Sequence, residues 1–242
     1  MSVRVAMWSG PRNLSTALMR SWGSRADTAV TDEPLYGVYL AATGKAHPGR
    51  DAVLASLPTD WRAVAATLTG PAPNGADIWY QKHMAHHLVP EVGRDWVDLE
   101  FRHAFLIRDP AAMIASLDRV TPGPSLEDTG LPQQFELYER VWQRDGAAPP
   151  VLDSADLLRD PPGVLRALCA RLGVPFDPAM LSWAPGPRAT DGVWAEHWYG
   201  SVERSTGFGP PPTVPTDLPD RLVPLLERCQ PLYDTLAAHR LR

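Results

Sequence analysis

The chain has 242 residues, 44% hydrophobic and 21% charged, which is enough apolar chain to bury a core of one large α/β domain or two small ones and is not the composition of a disordered protein. Its 28 acidic and 23 basic residues leave a net charge of −5, which argues against a general nucleic-acid binder, although a local anion pocket is compatible with it. The basic residues are 21 arginines against two lysines, Lys45 and Lys82, and with 26 prolines this reads in bulk as the codon bias of a GC-rich genome.

Val3 to Trp8 is a short apolar run closed by Ser9-Gly10-Pro11, a buried strand entering a turn. Leu14, Leu18, Met19 and Trp22 recur at helical spacing, so a helix starts near Leu14, with Asn13 or Ser15 available to cap it. A short strand at Ala29 to Thr31 and helices at Leu35 to Ala42 and Trp61 to Leu68 follow, the last capped by Thr59. Pro71 to Gly75 forces a loop before a strand at Ile78 to Gln81, and a helix-like stretch runs from about Ala85 to Val97.

His103 to Ile107 is the next strand, and it stops at Arg108-Asp109-Pro110, where the proline opens a helix over Ala111 to Leu117. Thr121 to Gly130 reads as a surface loop and Gln133 to Trp142 as a helix. A brief strand at Val151-Leu152, a helix over Gly163 to Leu172 and an amphipathic helix from about Asp217 to His239 complete the chain. Strand and helix alternate, so the expected architecture is a parallel sheet covered on both faces. With no repeat and no linker, residues 1–242 read as one domain.

Cys169 and Cys229 cannot build a disulfide framework and read as buried free thiols of a reducing compartment. Met1 to Gly10 lacks the basic start and apolar stretch of a signal peptide, and no window approaches the roughly 18 apolar residues of a membrane span, so a cytoplasmic location without membrane association is expected.

In a parallel α/β sheet, ligands bind beyond the carboxyl ends of the strands. The loop Pro11-Arg12-Asn13-Leu14-Ser15-Thr16 lies there and feeds a helix N-terminus, where free N–H groups and the helix dipole favour an anion. Arg12 adds a fork of donors suited to phosphate or sulfate oxygens, and Ser15 and Thr16 add hydroxyls that can alternatively cap the helix. The Gly-Lys-Ser/Thr ending that holds a nucleoside triphosphate and magnesium is absent, which demotes a P-loop small-molecule kinase with Asp109 on the metal to the second reading.

This loop resembles that of sulfotransferases using 3′-phosphoadenosine 5′-phosphosulfate, which place Pro-Lys/Arg-Ser-Gly-Ser/Thr-Ser/Thr after the first strand; here Asn13-Leu14 stands in place of Ser-Gly. A second block, Phe105 to Pro110 followed by Ser116, resembles the family's 3′-phosphate site. A third, Val151 to Pro161 continuing through Leu172 to Asp177, is similar to its closing strand, turn and helix. The resemblance implies a three-layer, P-loop nucleotide-kinase-like sulfotransferase fold of the bacterial branch. It implies that Arg12, Ser15 and Thr16 contact the phosphosulfate, that Arg108 and Ser116 hold the 3′-phosphate, and that Arg188, before Asp191 to Trp194, lies near the nucleotide. It further implies that Lys82 contacts the sulfuryl group, which passes without a metal to a hydroxyl or amine of a small acceptor. A sulfotransferase-like protein that binds nucleotide without turnover is the non-enzymatic alternative.

The base has two candidates. His83 stands next to Lys82, and with a helix beginning near Met84 it would share one side with His86 and His87; histidines at such spacing can also ligate zinc, but no paired cysteine or carboxylate ligand is in register and no metal is expected. Glu33, just after the second strand, occupies the place where other sulfotransferase branches carry a glutamate base. Trp194, Trp198 and Tyr199 around His197 can line an acceptor pocket or an adenine shelf, or simply pack in the core.

Overall fold

The computed structural model describes residues 2–211 and 218–241. Five parallel strands, β1 (Val3–Ser9), β2 (Thr28–Asp32), β3 (Ile78–Met84), β4 (Arg102–Ile107) and β5 (Val151–Asp153), form a single sheet in the order β2-β3-β1-β4-β5. The central strands β1 and β3 are almost wholly buried, which requires cover on both faces and a sequence apolar on both sides of the chain. This is the α/β, helix-flanked parallel sheet expected, with the strand order of P-loop kinase-like folds.

The helices flanking the strands begin beyond the carboxyl edge. Helix α1 (Ser15–Gly23) follows β1, α2 (Tyr36–Thr43), α3 (Arg50–Ser56) and α4 (Trp61–Leu68) lie between β2 and β3, and α5 (Pro110–Asp118) follows β4. Two further helices, α6 (Leu126–Thr129) and α7 (Leu131–Asp145), precede β5, and α8 (Ser154–Arg159) and α9 (Pro161–Arg171) come after it. The short α10 (Ala195–Trp198) and α11 (Gly200–Glu203) and the long α12 (Val223–Ala237) end the described chain. The start expected for the last helix, Asp217, lies outside the described residues.

Five local expectations are corrected. Strand β3 runs on to Met84, so Lys82 and His83 lie in the sheet, and the stretch expected to be helical up to Val97 holds only short 3₁₀ turns at Ala85–His87 and Asp95–Asp98. Arg94 supports the irregular part by donating to the carbonyls of Leu88, Val89 and Val92, a job a helix would have done with its own N–H groups. The Thr121–Gly130 loop contains α6, closed at its start by a reciprocal Ser125–Asp128 capping box. Asp60, rather than Thr59, caps α4 by accepting from the Arg62 N–H at 3.0 Å, and neither Asn13 nor Ser15 caps α1.

Two glutamine and histidine contacts hold the sheet's inner surface. The Gln134 amide of α7 donates to the carbonyls of Trp8 and Leu106, both at 3.0 Å, fixing the ends of β1 and β4. His83 stacks on Trp8 with centroids 4.2 Å apart, and the Trp8 indole N–H donates to His103. Burial drives the pKa of His83 down to about 3 and that of His103 to about 4, so both rings are neutral in the fold.

Because an unfolded histidine titrates near 6.5, such imidazoles contribute stability that is complete above about pH 6.5 and is lost as pH falls toward the folded values. Urea denaturation at pH 8 and pH 5 should therefore show a steep fall in stability, and His83→Asn should shrink the difference between the two pH values by about 2 kcal/mol. An unchanged difference in the variant contradicts the neutral, buried assignment.

Candidate active site

Three side chains meet at the ends of β2 and β3. Asp32 and Lys82 are Cα partners in the parallel register, so both side chains leave the same face of the sheet. The Lys82 ammonium donates to Asp32 Oδ1 (2.9 Å), Glu33 Oε1 (2.6 Å) and the Tyr199 hydroxyl (2.6 Å). Tyr199 in turn donates to Asp32 and accepts from the Trp194 indole N–H at 3.0 Å. Burial works against the Lys82 charge, but the two carboxylates overcome it and hold its pKa well above the usual value. Glu33 is raised, by burial first and by Asp32 next, against the opposing pull of Lys82. Two carboxylates thus share one ammonium.

Beyond the carboxyl edge opens a cavity of about 680 Å³. On one wall stand Arg12, in the loop after β1, and Arg108, in the loop after β4. Arg12 donates Nε to Ser116 Oγ at 3.1 Å, and Arg108 donates to the Arg12 carbonyl at 2.6 Å. Among the described residues neither guanidinium pairs with a carboxylate; burial, followed by Arg119 for Arg12 and by Arg12 for Arg108, depresses both pKa values. Two adjacent guanidinium groups without a counter-ion form a site for an anion. Asp109 is occupied as the cap of α5, accepting from the Ala112 N–H at 2.9 Å.

The loop itself is tightly constrained. Gly10 admits no side chain, since a Cβ there would lie 2.3 Å from the Thr129 carbonyl oxygen. Arg12 (φ 62°) and Leu14 (φ 72°) are left-handed, as is Glu33 (φ 41°) across the cavity. Leu14 thus adopts the conformation that the glycine of the resembling motif takes without strain, so the Asn13-Leu14 departure leaves the turn intact.

The sequence-derived candidates separate into two groups. Pro11, Arg12, Asn13, Leu14, Ser15, Thr16, Glu33, His86, His87 and Arg108 line the cavity. Ser116 is buried behind it, against Arg12. Lys82 is 1% exposed and stands behind Glu33, off the cavity wall, which corrects the expectation that it reaches a bound group directly.

His83 faces the opposite side of the sheet, stacked on Trp8 with Nε2 against Gln81 Oε1, because neighbouring residues of a strand alternate in direction. That removes it from His86 and His87, and no group of three metal-type ligands forms among the described residues. Trp194 is buried behind Tyr199, His197 pairs with Glu196, and Arg188 donates to the carbonyls of Ala184 and Pro187; none of the three lines the cavity. Sequence reasoning missed Asp32, Asp128, Tyr36, Tyr39 and His47; the tyrosines sit one turn apart on α2 directly after Glu33, the one local cue available.

Within an α/β fold, an anion-suited loop with two arginines and the buried carboxylate of Glu33 thus line one cavity. Residues 3–240 match the family described as sulfotransferase domain, and the chain belongs to that family. It is 39% and 36% identical over 232 residues, 96% of the chain, to the Branched-chain-amino-acid aminotransferase-like proteins 1 and 2 of Arabidopsis thaliana, and spans 41% of their length. The sulfotransferase domain of the Synechococcus PCC 7002 olefin synthase shares the fold, with a TM-score of 0.56, 20% identity and 94% of each chain covered. No helix among the described residues is long and apolar enough to cross a membrane.

The strained loop makes a direct test. Leu14→Gly should keep or raise the melting temperature, because relief of the left-handed strain offsets the lost packing, whereas Leu14→Val, β-branched, should lose about 1–3 kcal/mol. Equal losses in both variants would contradict the strain.

Proposed function

We propose that the chain, acting as one domain, transfers a sulfuryl group from 3′-phosphoadenosine 5′-phosphosulfate to a hydroxyl or amine of a small molecule. The observation that carries this reading is the pair Arg12 and Arg108, without carboxylate partners among the described residues, lining one cavity with Glu33. A donor bearing a phosphosulfate and a separate 3′-phosphate needs two cation-lined positions, and these arginines supply them at the ends of adjacent strands. When bound, the donor supplies an activated sulfuryl group.

Arg12, with the loop N–H groups and the hydroxyls of Ser15 and Thr16, holds the phosphosulfate and the charge that collects on the leaving phosphate as its bond to sulfur breaks. Arg108 holds the 3′-phosphate, and Ser116 orients Arg12 through its hydrogen bond. Glu33 takes the acceptor's proton as the new bond to sulfur forms; its raised pKa makes it a stronger base than an exposed carboxylate, and it is on the cavity wall where His83 is not. Lys82 and Asp32 are positioning residues, fixing the Glu33 carboxylate and setting its proton affinity.

Calorimetry should find adenosine 3′,5′-bisphosphate binding far better than AMP, and Arg108→Ala should weaken the bisphosphate by roughly 10- to 100-fold while leaving AMP little changed. Equal affinity for the two nucleotides would sink the donor assignment. Glu33→Gln should lower the rate of sulfuryl transfer by about 10²- to 10⁴-fold at unchanged bisphosphate affinity. In the native protein the rate should rise with pH through a pKa above the usual carboxylate range. Lys82→Met, paired with Asp32→Asn to remove one buried charge of each sign, should shift that limb; an unmoved limb argues against Lys82 tuning Glu33.

A further inference from the structure

One part of the cavity lining has its own chemistry. Glu33 and Asp128 line it, along with Tyr36, Tyr39, His47 and Trp198, and no guanidinium stands among them. The chain's own cation has already settled there: the Lys45 ammonium pairs with Asp128 and lies 5.9 Å from the centre of the Tyr39 ring. Carboxylate and ring face together form a cation site. His87 is 1% exposed, packs between the rings of Tyr36 and Tyr39 at 4.8 Å from each, and has an Nδ1 without a partner, as does His86. Buried polar atoms on a cavity wall without partners among the described residues are open to a ligand's polar groups.

Resting on the sulfuryl-transfer reading, we propose that the acceptor is an amine-bearing hydroxyl compound, its ammonium held by Asp128 and the Tyr39 ring and its hydroxyl directed to Glu33. The Lys45 side chain, partly exposed on the segment between α2 and α3, yields Asp128 to the incoming ammonium. A carboxylate or phosphate on the acceptor meets two acidic side chains there and, among the described residues, no unpaired cation beside them, so acidic acceptors are excluded by repulsion. The site therefore selects by charge first and by ring-lined shape second.

The test uses three phenols of similar size: tyramine, 4-ethylphenol and 3-(4-hydroxyphenyl)propionate, titrated by ligand-observed NMR near neutral pH, with and without saturating adenosine 3′,5′-bisphosphate. The expected order is amine, then neutral phenol, then acid, with the amine about tenfold tighter than the neutral compound, a difference of roughly 1.4 kcal/mol. Asp128→Asn should bring amine and neutral phenol to within about twofold of each other, and Lys45→Met, which vacates the carboxylate, should tighten the amine by several-fold. A gain of affinity in the second variant is something a damaged fold cannot produce. Equal binding of the three, the acid binding tightest, no binding at millimolar concentration, or an amine preference that survives Asp128→Asn overturns the inference. Because the ranking is also scored on the free protein, a failure of bisphosphate to bind counts against the donor reading alone.

Discussion

The architecture of the site depends on one buried ammonium. Lys82 sits within the sheet at a point where the register places Asp32 beside it, and the chain turns immediately after Asp32 to bring Glu33 to the same nitrogen. Tyr199, arriving from a segment more than a hundred residues later, closes the cluster and ties the C-terminal part of the chain to the sheet's edge. Taking the ammonium away would strand two carboxylates in a dry site, a loss of the kind that costs about 3–5 kcal/mol, so the charge is structural before it is chemical. Its chemical effect is a restraint: burial and the Asp32 carboxylate raise the proton affinity of Glu33, and the ammonium pulls against them.

That cluster faces a loop held in an equally specific state. Arg12, Leu14 and Glu33 all occupy left-handed backbone at the mouth of the same cavity, and each such residue costs of order 1–3 kcal/mol unless its surroundings enforce it. The enforcement is visible. Asn13 is buried with its amide directed to the Leu106 carbonyl, Gly10 presses against the Thr129 backbone, and Leu14 packs on the core. The cost of the strained turns is met by these contacts of the loop with β4 and with Thr129, and what they secure is a loop fixed on the cavity wall. One wall is thus cationic and the other carboxylate- and ring-lined, a polarity set by which strand ends carry which loops.

The parts of this arrangement that the sequence made legible are those governed by local rules. Strand β1 and its loop, the Arg108-Asp109-Pro110 turn and helix α4 each depend on neighbours within a few residues, and each appears where its pattern placed it. Strand β3 was misjudged at its far end because a central strand, buried on both faces, shows no polar alternation to mark where it stops. Three further strand residues turn His83 to the opposite face and Lys82 inward, so His83 stands apart from His86 and His87. The Asp32–Lys82–Tyr199 cluster was hidden for a different reason, since its members meet only through strand pairing and a late segment, information that no local window contains.

The scarcity of lysine now has a physical boundary. Codon bias accounts for arginine over most of the chain, but position 82 requires a compact charge: three acceptors, two carboxylates and a phenol, converge on one nitrogen within 2.9 Å. A guanidinium is planar and spreads its donors over a wider fork, so it would have to displace Asp32 or Glu33 to fit the same space. At position 12 the demand is the reverse, because an anion with several oxygens suits a fork that keeps its charge under burial. The two cations therefore differ in type for reasons of shape: the one that must vanish between carboxylates is an ammonium, and the one that must face a ligand is a guanidinium.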